Sequence, residues 1–278
     1  MGNTTIGLIA AMPDEIRPLL KKAGKYEKMS LGGVPLYQFR VAGNRCLLLE
    51  SGIGIRRAER AAETLLASER VDVMISFGFG GAVKPGMSAG DLAIARRSIL
   101  YGGRHSSCAE SAVFPLPRDM WLAVESIGAK NGFKVVEGDF LTADTILDKK
   151  ALRGTLPRDM TNPVLDMETW AVAQAAARRS TPLLAIRAVS DAADEDLGFS
   201  LDQFSDSEMN IRISRILRAI ARKPRIIPQL IRLARNAGIA GRNLASAIMV
   251  LAASDYDFPP DTGESGKSCR CSDNSSLL

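Results

Sequence analysis

Short apolar runs that alternate with helix-forming segments are the feature that most restricts what this chain can fold into. Three of these runs are Thr4–Ala10, Val71–Phe77 and Leu183–Val189. Each is apolar and ends at a glycine-rich or polar turn, which is typical of a strand buried on both faces. Strands that alternate with helices predict an α/β fold with three layers, in which helices cover both faces of a central mixed, mostly parallel sheet.

The same patterns predict most of the remaining elements of this architecture. A hairpin is predicted around Ala42-Gly43-Asn44, between the strands Leu36–Val41 and Arg45–Leu49. Short strands are also predicted at Asp91–Ala95 and Phe133–Val136. Amphipathic or capped helices are predicted after Met12 and at Ile55–Ser68, Arg118–Asn131 and Thr169–Arg179.

Three acidic residues follow these strands or begin the helices next to them. Glu15 comes after the first strand, Glu168 begins an alanine-rich helix, and Asp191 follows Ser190 at the end of the strand Leu183–Val189. In α/β folds the ligand sites lie at the carboxyl ends of the strands, so these carboxylates are predicted to meet in one pocket. The alternative is that each acid only caps a helix or complements its dipole.

Two glycine-rich turns follow predicted strands. The first, Ser51-Gly52-Ile53-Gly54, precedes a helix and leaves backbone N–H groups open to a polar ligand. Arg56 and Arg57 lie in the first turn of that helix and indicate either an acidic ligand or solvent exposure. The second turn, Gly78-Phe79-Gly80-Gly81, is neither a dinucleotide fingerprint nor a phosphate-binding P-loop. Its glycines still allow the backbone to approach a ligand closely.

Cysteine and histidine are too sparse for a metal site. The four cysteines, Cys46, Cys108, Cys269 and Cys271, have neither a zinc spacing nor a disulfide framework, which suits a reducing cytoplasm. The one histidine, His105, lies in a glycine- and serine-rich stretch and is expected to be solvated or at a pocket rim. We expect no signal peptide, because the apolar start runs directly into Pro13-Asp14-Glu15. We also expect no nucleic-acid partner.

The net charge of +5 is concentrated near the carboxyl end of the chain. Between Met209 and Ser254 there are nine basic and no acidic residues, so the rest of the chain holds 27 basic against 31 acidic residues. A helix is predicted over Ile211–Arg222 with an apolar and an arginine face. Residues 224–253 are predicted to form a basic, apolar helical extension that packs on the domain, joins a partner subunit or contacts the inner membrane face, and residues 254–278 to be disordered.

Several of these stretches, taken together and in order, resemble the nucleoside phosphorylase superfamily, and within it the 5′-methylthioadenosine/S-adenosylhomocysteine nucleosidases. The resemblance extends over about residues 4–223. It rests on five motifs: Ile6–Met12 with Glu15, Ser30-Leu31-Gly32-Gly33, Ser51-Gly52-Ile53-Gly54, Asp166-Met167-Glu168, and Arg187–Asp194.

This resemblance implies a purine nucleosidase that releases adenine from an adenosine-type nucleoside, without metal or cofactor, as a homodimer in the cytoplasm. Breaking the N-glycosidic bond leaves negative charge on the purine and cationic character on the ribose. Asp191 would be the general acid at purine N7, and Glu15 would activate the attacking water. Glu168 would bind the ribose hydroxyls. The other residues implied at the site are Met167, Arg187, Ser190, Gly78, Phe79, Ile146 and Leu147.

The sequence departs from the pattern of that family in three places, and each keeps an alternative open. Phe79 stands where nucleosidases have a small hydroxyl residue near the water, which leaves open a non-catalytic nucleoside-binding relative. Arg56 and Arg57 are compatible with phosphate, and therefore with phosphorolysis. The chain beyond Pro224 exceeds the usual end, and a basic amphipathic segment there suits a hopanoid-associated relative that cleaves adenine from a lipid nucleoside.

Overall fold

The structure, a computed structural model, describes residues 4–102, 109–111, 113, 115–145, 147–157, 159–193 and 227–256. Several features that the sequence singled out lie outside the described residues. They are His105, Ile146, the cysteines other than Cys46, the helix predicted over residues 211–222, and the tail beyond residue 256.

Ten strands and six helices make up the described part of the chain. The strands are β1 (Thr5–Ala10), β2 (Glu27–Leu31), β3 (Val34–Val41), β4 (Asn44–Glu50), β5 (Val73–Ala82), β6 (Leu92–Leu100), β7 (Ala109–Ser111), β8 (Val135–Thr142), β9 (Val164–Asp166) and β10 (Leu183–Asp191). The helices are α1 (Pro13–Ala23), α2 (Ile55–Ser68), α3 (Arg118–Asn131), α4 (Lys149–Arg153), α5 (Thr169–Ala177) and α6 (Ile227–Ala253).

The strands form one mixed sheet, as predicted. Their order is β10-β6-β8-β9-β5-β1-β4-β3-β2, with β7 on β6. Strands β4, β1, β5 and β10 are parallel neighbours, and the antiparallel strands lie around them. Since β10 pairs with both β5 and β6, and β9 joins β8 to β5, one half of the sheet closes on itself. The carboxyl ends of β1, β5 and β10 therefore come together at one edge.

Helices cover both faces of this sheet, which confirms the α/β class. One apolar core lies under α1, α3 and α6 and includes Ile6, Leu8 and Ile248. The other lies under α2 and α5 and includes Leu47 and Val172. Successive side chains of a strand point to opposite faces, so one strand contributes to both cores and needs apolar residues throughout.

Helix α6 is part of the main core, so of the three placements that the sequence left open for residues 224–253 the structure shows packing on the domain. Ala240, Leu244, Ile248 and Leu251 are buried in the core that also contains α1, and α6 packs against α1, α3 and β10. The apolar face that suggested a membrane or partner contact is therefore covered by the protein's own domain. None of the helices in the described ranges is long and apolar enough to cross a membrane.

The burial of α6 predicts a large difference between two apolar substitutions on it. Leu244 is fully buried, whereas Ile231 is 63% exposed. We expect Leu244→Ala to lower the free energy of unfolding by about 2–5 kcal/mol, because it leaves a cavity in the core. The control, Ile231→Ala, should change the free energy by less than about 0.5 kcal/mol. Urea denaturation measures both, and equal effects would contradict the packing of α6.

Candidate active site

Glu15 is a buried carboxylate that accepts three backbone hydrogen bonds. Its Oε2 accepts from the N–H groups of Ala11 and Met12, both at 2.9 Å, and its Oε1 accepts from the N–H of Phe79 at 2.8 Å. The bond from Met12 caps α1, so the helix-cap interpretation accounts for one of the three contacts. Burial raises the pKa of Glu15, against the lowering effect of the Phe79 bond and the charge of Arg187.

Glycine at position 78 is what lets Glu15 lie against β5. A Cβ at Gly78 would stand 2.6 Å from Glu15 Oε1. The next residue, Phe79, turns its ring to the opposite side, where its tip lies near Gly241 of α6. Phe79 thus contacts the carboxylate through its backbone N–H, while its ring packs against α6.

A buried arginine, Arg187, joins two further carboxylates. Its Nε donates to Asp166 Oδ2 at 3.1 Å, one terminal nitrogen donates to Ser76 Oγ at 3.1 Å, and that nitrogen lies 4.0 Å from Glu168 Oε2. Arg187 is 1% exposed. A buried arginine is tolerated only when its charge and donors are matched. Asp166 and Glu168 supply that match, and Arg187 in turn fixes their positions.

Glu168 does not cap the helix that it precedes. Its side chain makes no capping hydrogen bond with α5. Instead its Oε1 accepts from the N–H of Gly54 at 2.9 Å, in the glycine-rich turn 114 residues earlier. The cap is supplied by Asp166, which accepts from the N–H and the hydroxyl of Thr169. The alternative interpretation of Glu168 is therefore wrong, and its carboxylate is held toward the site.

The surroundings of Glu168 favour its protonated form. Burial raises its pKa to about 7, helped by the charges of Asp166 and Glu15 and opposed by that of Arg187. Glu15 and Glu168 thus share one buried region, which places an acceptor and a group that titrates near neutrality close together. Perturbed carboxyl groups of this kind cluster at functional sites.

Asp191 ends β10 and is held from two sides. Its Oδ1 accepts from the hydroxyl of Ser190 at 2.7 Å, and its Oδ2 accepts from the ammonium of Lys149. In the register of β5 with β10, Asp191 lies opposite Gly81, after a bulge at Ser190. Since Glu15 bonds to β5 at Phe79, the two carboxylates attach to β5 roughly 7 Å apart.

The remaining predicted site residues are less constrained. Met167 is half-buried beside Glu168. Leu147 packs in a third apolar cluster with Tyr101, so the described contacts do not place it at the carboxylates. Arg56 is exposed. A Cβ at Gly52 would stand 2.9 Å from Arg57 Cδ, so that side chain lies over the glycine-rich turn.

Sequence reasoning missed the roles of two residues of this site, Asp166 and Lys149. In the sequence Asp166 is only one residue of a motif, because its contacts with Arg187 and with Thr142 Oγ1, the latter at 2.6 Å, join distant segments. Lys149 was not identified at all. It begins the short helix α4, and nothing in its neighbourhood in the sequence distinguishes it from the adjacent Lys150.

The raised pKa of Glu168 predicts how a substitution changes stability with pH. The folded pKa of about 7 lies above the ordinary value of 4.5, so the folded state holds this proton more tightly than the unfolded chain does. The resulting stabilisation is complete below about pH 4.5 and is lost as the pH rises through about 7, by up to about 3 kcal/mol. Glu168→Gln removes this loss. The difference in Tm between Glu168→Gln and the wild type, taken as variant minus wild type, should therefore increase from about pH 5 to about pH 8.

A surface substitution provides the control for this measurement. Glu137 is exposed on β8, so the Tm of Glu137→Gln should follow that of the wild type across the same pH range. If Glu168→Gln also follows the wild type, Glu168 is ionised in the folded protein throughout that range and the pKa assignment fails.

Known structures share this fold. Futalosine hydrolase of Helicobacter pylori is 15% identical, with a TM-score of 0.65 over 90% of this chain and 97% of that one. The 5′-methylthioadenosine/S-adenosylhomocysteine nucleosidase of Neisseria meningitidis is 20% identical, with a TM-score of 0.66 over 89% and 98%. The same kind of nucleosidase from Campylobacter jejuni is 18% identical, with a TM-score of 0.65 over 89% and 99%.

The sequence profile of the phosphorylase superfamily matches residues 5–222, which include Glu15, Glu168, Arg187 and Asp191. This range corresponds closely to the stretch that the motifs indicated. The chain therefore belongs to the phosphorylase superfamily, a group of enzymes that cleave N-glycosidic bonds.

Proposed function

We propose that the protein hydrolyses the N-glycosidic bond of an adenosine-type nucleoside, similar to 5′-methylthioadenosine or S-adenosylhomocysteine, and releases adenine. The observation that carries this proposal is the buried Glu15, whose two oxygens are fixed by three backbone N–H groups. A carboxylate that is held rigidly and whose pKa is raised is suited to accept a proton from water.

Glu168 and Arg187 support the ribose side of this mechanism. Bond cleavage leaves cationic character on the ribose, and a carboxylate next to the sugar stabilises that charge. Glu168 is fixed by the N–H of Gly54 and lies 4.0 Å from the Arg187 guanidinium. We assign Glu168 to the ribose hydroxyls, with the Met167 backbone beside it, and Arg187 to holding Glu168 and Asp166 in place.

Asp191 and Ser190 support the base side. As the C1′–N9 bond breaks, its electron pair moves into the purine, and a proton delivered to N7 neutralises the developing charge. We assign this delivery to Asp191, which is oriented by the Ser190 hydroxyl at 2.7 Å. The Neisseria nucleosidase of the same fold was crystallised with methylthio-immucillin-A, which supports a nucleoside-sized ligand.

Water is favoured over phosphate as the nucleophile. Glu15 and Glu168 place two carboxyl groups in the region where the nucleophile would bind, and a buried carboxylate repels a phosphate anion. Phosphorolysis remains the second candidate because Arg57 lies over the turn that binds Glu168. The lipid-nucleoside alternative has less support, since the apolar face of α6 is buried in the domain.

An assay of adenine release with and without phosphate separates these functions. We expect release from 5′-methylthioadenosine at the same rate with and without phosphate, with a free reducing sugar as the second product. Strict dependence on phosphate, with a sugar 1-phosphate as product, would establish a phosphorylase. Binding of nucleosides without release of any base would instead indicate a non-catalytic relative.

We propose that the enzyme acts without metal or cofactor, as a homodimer in the cytoplasm.

A further inference from the structure

The short helix α4 reaches the end of β10 through two cations. Lys149 Nζ donates to the carboxylate of Asp191, to the carbonyl of Ala192 at 2.7 Å and to the carbonyl of Asp191 at 3.3 Å. Arg153 donates to the carbonyls of Val83 at 2.9 Å and Ala193 at 2.8 Å. Both cations thus contact the segment that begins at Asp191.

Lys149 engages the side chain of Asp191. Arg153 contacts backbone carbonyls alone in these bonds, which is sufficient to tie α4 to β5 and to the chain after β10. The side chain of Lys149 is 13% exposed, and a mostly buried ammonium is costly unless it is paired. Glycine at position 81 makes room for the pair, since a Cβ there would stand 3.2 Å from Asp191 Oδ2 and 3.4 Å from Lys149 Cδ.

The hydrogen bonds at Asp191 show where protons are available. Both carboxylate oxygens act as acceptors, Oδ1 from the Ser190 hydroxyl and Oδ2 from the Lys149 ammonium. A proton for the leaving base therefore has a donor in direct contact with this carboxylate, the Lys149 ammonium. That ammonium carries three protons, and an amine can release one of them.

We propose that Lys149 supplies, through Asp191, the proton that neutralises the leaving purine. A proton first passes from Nζ to Asp191 Oδ2, so that one N–H bond breaks and one O–H bond forms. As the C1′–N9 electron pair moves into the purine, that proton passes to N7 and the carboxylate is restored. Water forms the new C1′–O bond and gives its proton to Glu15. Lys149 regains its proton from Glu15 or from solvent, so the cycle balances. This inference rests on the proposed hydrolase function.

The difference between lysine and arginine tests the proposal. Lys149→Arg keeps a positive charge beside Asp191, but a guanidinium does not give up its proton in a protein. Lys149→Met removes both the charge and the proton, and serves as a second variant if the larger guanidinium does not fit. Lys150→Met is the matched control, because Lys150 is the next residue of α4 and is exposed.

The measurement compares two leaving groups. With 5′-methylthioadenosine, whose base must be protonated, we expect kcat to fall by about 10²-fold or more in both Lys149 variants. With 4-nitrophenyl riboside, whose leaving group departs as a stabilised anion, we expect the Lys149 variants to stay close to the wild type. The Lys150→Met variant should match the wild type on both substrates.

The outcomes separate this proposal from the proposed function. If Lys149→Arg cleaves 5′-methylthioadenosine at the wild-type rate, charge alone is sufficient and Lys149 is not the proton source. Equal losses on both substrates would show that Lys149 only maintains the structure of the site, and would also overturn the proposal. If the wild type cleaves neither a purine nucleoside nor the nitrophenyl riboside, the hydrolase function itself fails, and this inference fails with it.

Discussion

Glu15→Gln is expected to abolish nucleoside turnover while leaving nucleoside binding largely intact. A glutamine has almost the same shape but cannot accept the proton of an attacking water, so the loss should reach or exceed the 10²–10⁴-fold typical of a positioned general base. Ribose and base contacts are assigned to other elements, β10 and the segment around Glu168, and these remain. Turnover is measured by adenine release and binding by calorimetric titration of the variant.

The neighbouring Asp14 provides a matched control. It lies in the same first turn of α1, but its side chain is 69% exposed and pairs only with the exposed Arg17 among the ion pairs of the described residues. Asp14→Asn should therefore retain wild-type turnover. If Glu15→Gln loses both binding and thermal stability, its role is to cap α1 and to join that helix to β5, and the assignment as general base is wrong.

Elements with a strong local signal were predicted well from the sequence. The helices predicted at Ile55–Ser68 and Arg118–Asn131 have those bounds in the structure, because their apolar positions repeat with helical spacing. The buried strands were found because each is a short apolar run that ends at a turn. Strand β5 was predicted to end at Phe77 but continues to Ala82. Its glycines look like a loop in the sequence, yet they pair with β10 and β9 and leave space for Glu15 and Asp191.

Contacts between distant segments were beyond sequence reasoning. Arg187 was identified through a resemblance, but its hydrogen bond to Ser76 spans 111 residues, and no local sequence pattern predicts that bond. Lys149 and Asp191 are 42 residues apart, and a lysine on a short helix is usually solvated. The placement of α6 stayed open in the sequence for a related reason. Its arginines were visible in the sequence, whereas the neighbours that bury its other face, α1 and β10, are distant in the chain.

The second large effect is expected at the base side of the site. Asp191→Asn should retain the fold and lower kcat by about 10²–10⁴-fold, the usual contribution of a positioned general acid. Asparagine has one acceptor oxygen in place of two, so it can accept from Lys149 and donate an amide N–H to the Ser190 hydroxyl, at the two positions where the carboxylate oxygens now accept. The ion pair is lost, but the size of the side chain is kept. Asp159→Asn is the control, because the side chain of Asp159 is 76% exposed and its carboxylate lies 3.8 Å from Arg97.

Adenine release from 5′-methylthioadenosine by the purified variants measures this effect, and thermal unfolding checks that they are folded. Near-wild-type release by Asp191→Asn would eliminate Asp191 as the acid.

Combining Asp191→Asn with Lys149→Met adds a sharper test. Residues that act as one unit give non-additive losses, and the proposed proton path runs through both side chains. The double variant is therefore expected to be no slower than Asp191→Asn alone, whereas additive losses would mean that Lys149 and Asp191 act independently.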